Sequence, residues 1–410
     1  MHRWDFVAAF LQGTLEPGIV IYCYPPPGYE SDALDSQGRP MVCRVERPIY
    51  GMAQAGRRWQ RALYPWLREF GFETCHGDPN VFHMQEGDET LLLGCYVDDL
   101  FTLHSHDGPD TLYRRFIDAL DARWSVEDEG EISDLLNVEI SSENGAVVLR
   151  QTKYIERLVE TYVPEDVHDS FRVTDTSADP ALPKLVTEAL SSECEPAVKE
   201  LREFQAIIGS LLYCATHTRP DVAYAVALLC RAMSRPTPEL YKAATRVLFY
   251  LYRHRHVGLR YEPARVPLSG YSDSDWAVKH STSGFIFNYC SAAISWASKK
   301  QPTIALSSCE AELMAVSEAA KEVIYLRSFL HELGVSDDAP THLSVDNQAA
   351  HDLAYNPEHH ARTKHIERRH FFVRERVESP FLSCALSRTW PTSLQSHWPL
   401  RNSIGSGALS

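Results

Sequence analysis

Leu91-Leu92-Leu93-Gly94-Cys95-Tyr96-Val97-Asp98-Asp99-Leu100-Phe101-Thr102-Leu103 sets two adjacent carboxylates between two apolar runs. Apolar runs on both sides of a short acidic turn read as a β-hairpin with the acids at its tip. Two carboxylates crowded into one turn raise each other's proton affinity unless a cation neutralises them. Magnesium suits such a place, because it takes carboxylate oxygens together with substrate phosphates. Taken alone, the tetrapeptide Tyr96-Val97-Asp98-Asp99 reads equally well as a solvated turn. Its flanks decide between the two.

Upstream stand Trp4-Asp5-Phe6-Val7-Ala8-Ala9-Phe10-Leu11-Gln12-Gly13, Pro25-Pro26-Pro27-Gly28-Tyr29 and Ile49-Tyr50-Gly51-Met52-Ala53-Gln54-Ala55-Gly56-Arg57-Arg58-Trp59. Gly71-Phe72 and Asp78-Pro79-Asn80-Val81-Phe82 follow. Downstream come Ile208-Gly209-Ser210-Leu211-Leu212-Tyr213 and Thr218-Arg219-Pro220-Asp221-Val222-Ala223-Tyr224. In this order the segments resemble the copia-type LTR retrotransposon Pol polyprotein, from the first palm motif through the connection. The resemblance runs to about Glu378 and implies a reverse transcriptase followed by a ribonuclease H. It implies that Asp5, Asp98 and Asp99 are catalytic and bind two magnesium ions, with manganese as an alternative. The partners it implies are template–primer nucleic acid, a deoxynucleoside triphosphate and RNA–DNA hybrid, besides a Pol polyprotein or homodimer partner.

Composition fits an intracellular protein of two or three domains in 410 residues. The ten cysteines lie singly, with no Cys-x-x-Cys pair, so reduced thiols are expected. No apolar run approaches the ~18 residues of a membrane span, so no membrane is expected. The net charge of −15 is the wrong sign for bulk attraction to nucleic acid, which puts the weight on local clusters. Asp107 to Glu143 holds eleven acids against three bases and reads as a solvated face turned from substrate. His359 to Glu375, with five bases against two acids, and the group Arg246, Arg253, Arg255 and Arg260 each read as a phosphate track or as a solvated helix face.

The fold class read from these patterns is α/β and α+β multidomain: a partial palm at 1–167, a linker and helical connection at 168–264, and a ribonuclease H-like mixed-sheet domain at 265–378. His168 to Pro196 reads as linker, and Leu201 to His256 as helix broken at Pro220 and at Pro236 to Pro238. Three strands are then expected at Leu268–Ala277, Ser283–Tyr289 and Ala293–Ser298. A helix opening at Ser307-Ser308-Cys309-Glu310 should stop at Gly334, and Leu343-Ser344-Val345 should lead into a second helix. Strand–strand–strand–helix–strand–helix is the order of a ribonuclease H fold.

That order puts Asp273 at a strand end, Glu312 in the first turns of the long helix and Asp346 at a neighbouring strand end. Three such acids converge if the first and fourth strands are adjacent, and converging carboxylates can hold two magnesium ions roughly 3.5–4 Å apart. Asp275 competes with Asp273, which directly follows the apolar strand, and Glu310 competes with Glu312, being better placed to cap. The copia-type pattern is similar over Gly270 to Ala277, Ser281 to Phe285, Ile294 to Gln301 and Ala305 to Glu312. It also implies a fourth acid: Arg362-Thr363-Lys364-His365-Ile366-Glu367 carries glutamate where the family has aspartate, making Glu367 a catalytic and metal-ligand candidate and His360 and His365 proton-shuttle candidates. Departures are Ala53 for the family's lysine, Gly56 for its proline, and only four residues ahead of Asp5, so that the fingers subdomain is missing and little primer extension is expected. Residues 379–410 read as an unrelated, disordered tail. By resemblance the protein acts in the cytoplasm within a virus-like particle, or in the nucleus. The competing reading is an inactive retroelement remnant that at most binds nucleic acid.

Overall fold

The structure is a computed structural model that describes residues 1–29, 33–164, 176–192, 196–263, 266–277, 280–335, 339–355, 372–373, 375–376 and 382–386. It divides into two compact units, Met1–Ile132 with Ser328–Ser336, and Ser133–Arg327 with Asp337–Ser410. Residues 133–164, read with the palm from sequence, group with the second unit.

The first unit is built on β1 (His2–Phe6), β4 (Glu73–Thr74), β5 (Val81–Glu86), β6 (Glu89–Tyr96), β7 (Asp99–His104) and β8 (Val126–Glu131), between which lies a two-stranded ribbon of β2 (Ile21–Cys23) and β3 (Cys43–Val45). The large sheet runs β4-β5-β6-β7-β1-β8, every pairing antiparallel. Alternation decides its inner face: Leu91 and Leu93 of β6 are buried. The short helix α1 (Ala9–Gln12) follows β1, while α2 (Ala55–Phe70) and α3 (Leu112–Arg123) cover the sheet. Helix α2 presents Trp59, Leu63 and Leu67 at four-residue spacing, and α3 presents Leu112, Phe116 and Leu120. These close on Trp4, Phe6, Phe82, Leu100 and Trp124 as one core.

The second unit begins with β9 (Asp134–Leu135), β10 (Val138–Glu143) and β11 (Ala146–Arg150), which β12 (Leu259–Tyr261) joins in the order β12-β11-β10-β9. Helices α4 (Thr152–Tyr162), α5 (Leu182–Ser191), α6 (Val198–His217), α7 (Ala223–Arg231) and α8 (Pro238–Arg253) make the connection and share one apolar core. Breaks fall at the prolines, as the sequence indicates. Helix α5 corrects the linker expected at His168 to Pro196, because Leu182, Val186 and Ala189 are buried at helical spacing. The Thr-Arg-Pro-Asp motif has a structural job: Arg219, 1% exposed, donates to both Asp221 oxygens at 3.0 and 2.7 Å and to the His254 carbonyl at 2.9 Å.

Five strands complete this unit: β13 (Ser269–Asp275), β14 (Thr282–Tyr289), β15 (Ala292–Lys300), β16 (Thr341–Val345) and β17 (Leu382–Leu386), in the order β15-β14-β13-β16-β17. The first three are antiparallel, while β13–β16 and β16–β17 are parallel, so the sheet is mixed as expected. Strand β17 is a correction. It lies in the segment expected to be a disordered tail, and it pairs with β16 from Thr341↔Leu382 to Val345↔Leu386. Gly270 allows β13 to sit under Phe287, whose ring would lie 2.2 Å from any β-carbon there. Helix α9 (Ser308–Glu332) and α10 (Gln348–Tyr355) bracket β16. Ser307 Oγ accepts from the Glu310 amide at 3.1 Å and Glu310 Oε2 accepts from the Leu306 amide at 2.6 Å, which makes Glu310 a cap. Gly334, at φ 71, ends the run in the left-handed region.

Candidate functional site

Parallel pairing of β13 with β16 sets their C-terminal ends side by side, and the capped start of α9 points at the same place. Asp273, Glu312 and Asp346 each bring a carboxylate oxygen there, all within 4.8 Å of one another. Among the described residues this is the only group of three or more potential metal ligands so closed. Asp275 belongs elsewhere, since its Oδ2 accepts the Tyr224 hydroxyl of α7 at 2.9 Å. The Ser274 amide donates to Asp273 Oδ1 at 2.9 Å and, more weakly, to Glu312 Oε1 at 3.3 Å.

Three like charges converging where Asp273 and Glu312 are buried are costly, and Glu312 carries the cost. Burial first, then Asp273 and Asp346, push its carboxyl up to about 8. Its Oε2 is buried with no hydrogen-bond partner. An orphaned carboxylate oxygen facing two more carboxylates is the donor set a hard divalent cation takes, so these residues fit magnesium or manganese. Glu367, the fourth ligand candidate, lies outside the described residues, as do His360 and His365.

A stability prediction follows with a definite sign. Between the ordinary glutamate range near 4.5 and about 8 the folded state holds a proton on Glu312 that the unfolded chain has released. Stability of the metal-free protein therefore falls as pH rises through that window, by an amount of about 3–5 kcal/mol. Glu312→Gln removes this slope. Thermal midpoints in chelator at pH 5 and pH 8.5 check it: the gap between the two proteins widens at the higher pH, and equal slopes contradict the assignment.

In the first unit Asp5 of β1 sits directly opposite Asp99 of β7 and Glu127 of β8, and Asp98 occupies the turn between β6 and β7. The hairpin expected from Tyr96-Val97-Asp98-Asp99 is present. Val97 holds a left-handed φ of 58, unusual for a β-branched residue, while Trp59 Nε1 donates to its carbonyl at 2.7 Å. The Phe6 amide donates to the Asp98 carbonyl at 2.8 Å, tying turn to β1. Val97→Asn should stabilise the protein by about 0.5–1 kcal/mol, read as a shift in the urea midpoint, because asparagine tolerates this conformation.

Burial, then Asp98, Asp99 and Glu129, raise the Asp5 carboxyl above its ordinary value. Asp99 is differently placed. Arg3 donates to its Oδ1 from Nε at 3.1 Å and from Nη2 at 2.9 Å, and also pairs with Glu129 at 2.9 Å. The charge expected to hold metal is thus met by a guanidinium, and Asp5, Asp98 and Asp99 do not form a second closed group among the described residues. Tyr50 Oη lies 3.5 Å from Asp98 Oδ2. Sequence reading missed Arg3, although two-residue alternation puts it on the face of Asp5. It also set the acidic stretch 107–143 apart from the site, whereas Glu127 and Glu129 of β8 adjoin it.

The basic group around α8 is largely neutralised. Arg246 pairs with Asp179, Arg255 with Glu156, and Arg260 with Glu143 and Glu262. No helix of the described residues is long and apolar enough to cross a membrane.

Residues 1–171 match the family model described as reverse transcriptase (RNA-dependent DNA polymerase). The chain is 34% identical over 386 residues to the retrovirus-related Pol polyprotein from transposon RE2 of Arabidopsis thaliana, covering 92% of this chain and 25% of that protein. It is 31% identical over 396 residues to the corresponding polyprotein from transposon TNT 1-94 of Nicotiana tabacum, covering 93% and 28%. The chain thus spans about a quarter of the length of these relatives. A solved structure of the foamy viral protease-reverse transcriptase dRH in complex with ds DNA is similar in fold, with TM-score 0.51 and 11% identity over 95% of this chain and 57% of that one.

Proposed function

Since the chain belongs to the reverse transcriptase family carried by copia-type retrotransposon Pol polyproteins, we propose that it is a polymerase–nuclease portion of such a polyprotein and that it hydrolyses the RNA strand of RNA–DNA hybrids. The observation that carries this reading is the closed group Asp273, Glu312 and Asp346 with its unpartnered Glu312 oxygen. Asp273, Glu312 and Asp346 would hold a divalent cation, which would supply Lewis acidity there. The chain's own residues do the rest. The Ser274 amide fixes Asp273, the helix start fixes Glu312, and the raised proton affinity of Glu312 makes cation binding release a proton. Glu367 is proposed as a fourth ligand, by family motif.

For the first unit the family favours nucleotide transfer at Asp5, Asp98 and Asp99, with template–primer and deoxynucleoside triphosphate as substrates. The Arg3–Asp99 pairing favours a second reading, a palm that holds nucleic acid without adding nucleotides. Activity would be expressed inside the cell alongside other Pol segments, or as a homodimer.

The test uses a hybrid labelled on either strand. The chain with magnesium should cut the RNA internally and leave the DNA strand and free single-stranded RNA intact. No cleavage with magnesium or manganese would favour the inactive remnant. Primer extension on the same preparation separates the palm readings, and robust magnesium-dependent extension would exclude the second.

A further inference from the structure

We propose that Trp276, Lys299 and Lys300 form a rim beside the carboxylate group that grips the backbone and bases of a bound RNA–DNA hybrid. The inference rests on the hybrid-cleaving reading. A site whose active groups are three acids, in a chain of net charge −15, repels the phosphates it must receive. Binding then needs cations close to the acids and free of other duties.

Sheet register supplies them. Ser274 stands opposite Ser283, which stands opposite Lys299, and Asp275 opposite Thr282, which stands opposite Lys300. The two lysines therefore lie two strands across from the rows that follow Asp273, a span of about 10 Å at the usual strand spacing. Lys300 is on the face of Asp273 and Asp275 and Lys299 on the opposite face, both at the very end of β15, so that they bracket that edge of the sheet. Both are exposed, and neither has an ion-pair partner among the described residues. Arg246, Arg255 and Arg260 of the same unit, by contrast, are each held by an acid.

Trp276 follows β13 directly and supplies a second element. Its Nε1 donates to the Ala305 carbonyl at 3.2 Å, yet the residue is 52% exposed. The ring is fixed by one edge while the residue stays half in solvent, and the chain neighbours of Ala305, Ile304 and Leu306, are themselves 53% and 72% exposed. A pinned, exposed indole is a stacking platform that any base or sugar can use. Unpaired cations on one side and an aromatic shoulder on the other complement a nucleic-acid strand, negative along its backbone and flat at its bases. An apolar protein partner would leave the lysines without purpose.

The experiment measures binding of a labelled hybrid to the full chain by fluorescence anisotropy, with calcium replacing magnesium, across a salt series. Lys299→Gln with Lys300→Gln should weaken binding about 10-fold at low salt and reduce the slope of log K against log salt by about 1.4–1.8. Paired arginine replacements should restore it. Trp276→Ala should weaken binding roughly 5- to 100-fold while Trp276→Phe retains most of it. In cleavage assays these variants should raise KM and leave kcat unchanged. Folded variants with unchanged affinity and salt slope would overturn the proposal, as would a Trp276→Phe loss as large as that of alanine. Hybrid cleavage with variant-independent KM sinks the rim alone; binding that follows the variants without any cleavage sinks the hydrolytic reading alone.

Discussion

Asp346→Asn should lower hybrid cleavage on the order of 10²–10³-fold, while Asp98→Asn leaves it within a factor of about two. The amide preserves the size of Asp346 at the end of β16 but removes the charge, leaving Asp273 and Glu312 to hold a cation between them. With one negative neighbour fewer, the Glu312 carboxyl should also fall from about 8, giving a readout apart from turnover. Asp98 lies in the turn before β7, in the other unit, and contributes nothing to the closed group. Single-turnover rates with saturating enzyme check the pair. Cleavage that survives Asp346→Asn, or vanishes in a folded Asp98→Asn, contradicts the allocation. Glu367→Asp, which restores the family residue, should match or exceed the unmutated rate.

Arg219→Ala should cost about 3–5 kcal/mol, the largest single loss expected outside the active groups. Its guanidinium is 1% exposed, and it satisfies Asp221, 8% exposed, through two charge-assisted bonds. Removing it leaves the Asp221 carboxylate without its countercharge among the helices α6, α7 and α8, with the Tyr250 hydroxyl still beside it. Replacing both partners by leucine should recover much of the loss, because no unpaired charge then remains. Urea unfolding of the single and double variants checks this, and a single variant within 1 kcal/mol of the unmutated protein would show that water reaches Asp221.

The mixed sheet of β13 to β16 with α9 was legible because each element carries its own signal. Alternating strands, a Ser307–Glu310 cap and a Gly334 stop specify element type locally, and the acids sit at element ends where register brings them together. Helix α5 was equally legible in Leu182, Leu185, Val186 and Ala189, but prolines and acids nearby drew the reading to linker. Strand β17 gives little local sign, since Leu382-Ser383-Cys384-Ala385-Leu386 is short and its pairing with β16 is long-range. The arginines around α8 left a phosphate track and a solvated helix face both open, because their partners Glu143 and Glu156 lie about a hundred positions away. Arg3 was missed for a subtler reason: reading acids as metal ligands left no room for a guanidinium that meets the same charge.

The central claim is that Asp273, Glu312 and Asp346 make a metal centre. Anomalous diffraction from crystals grown with manganese tests it most directly. The account predicts anomalous peaks in contact with all three carboxylates, two ions roughly 3.5–4 Å apart when hybrid is bound, and their loss in Glu312→Gln. Manganese absent from this group at millimolar concentration, or bound equally well in Glu312→Gln, would contradict it.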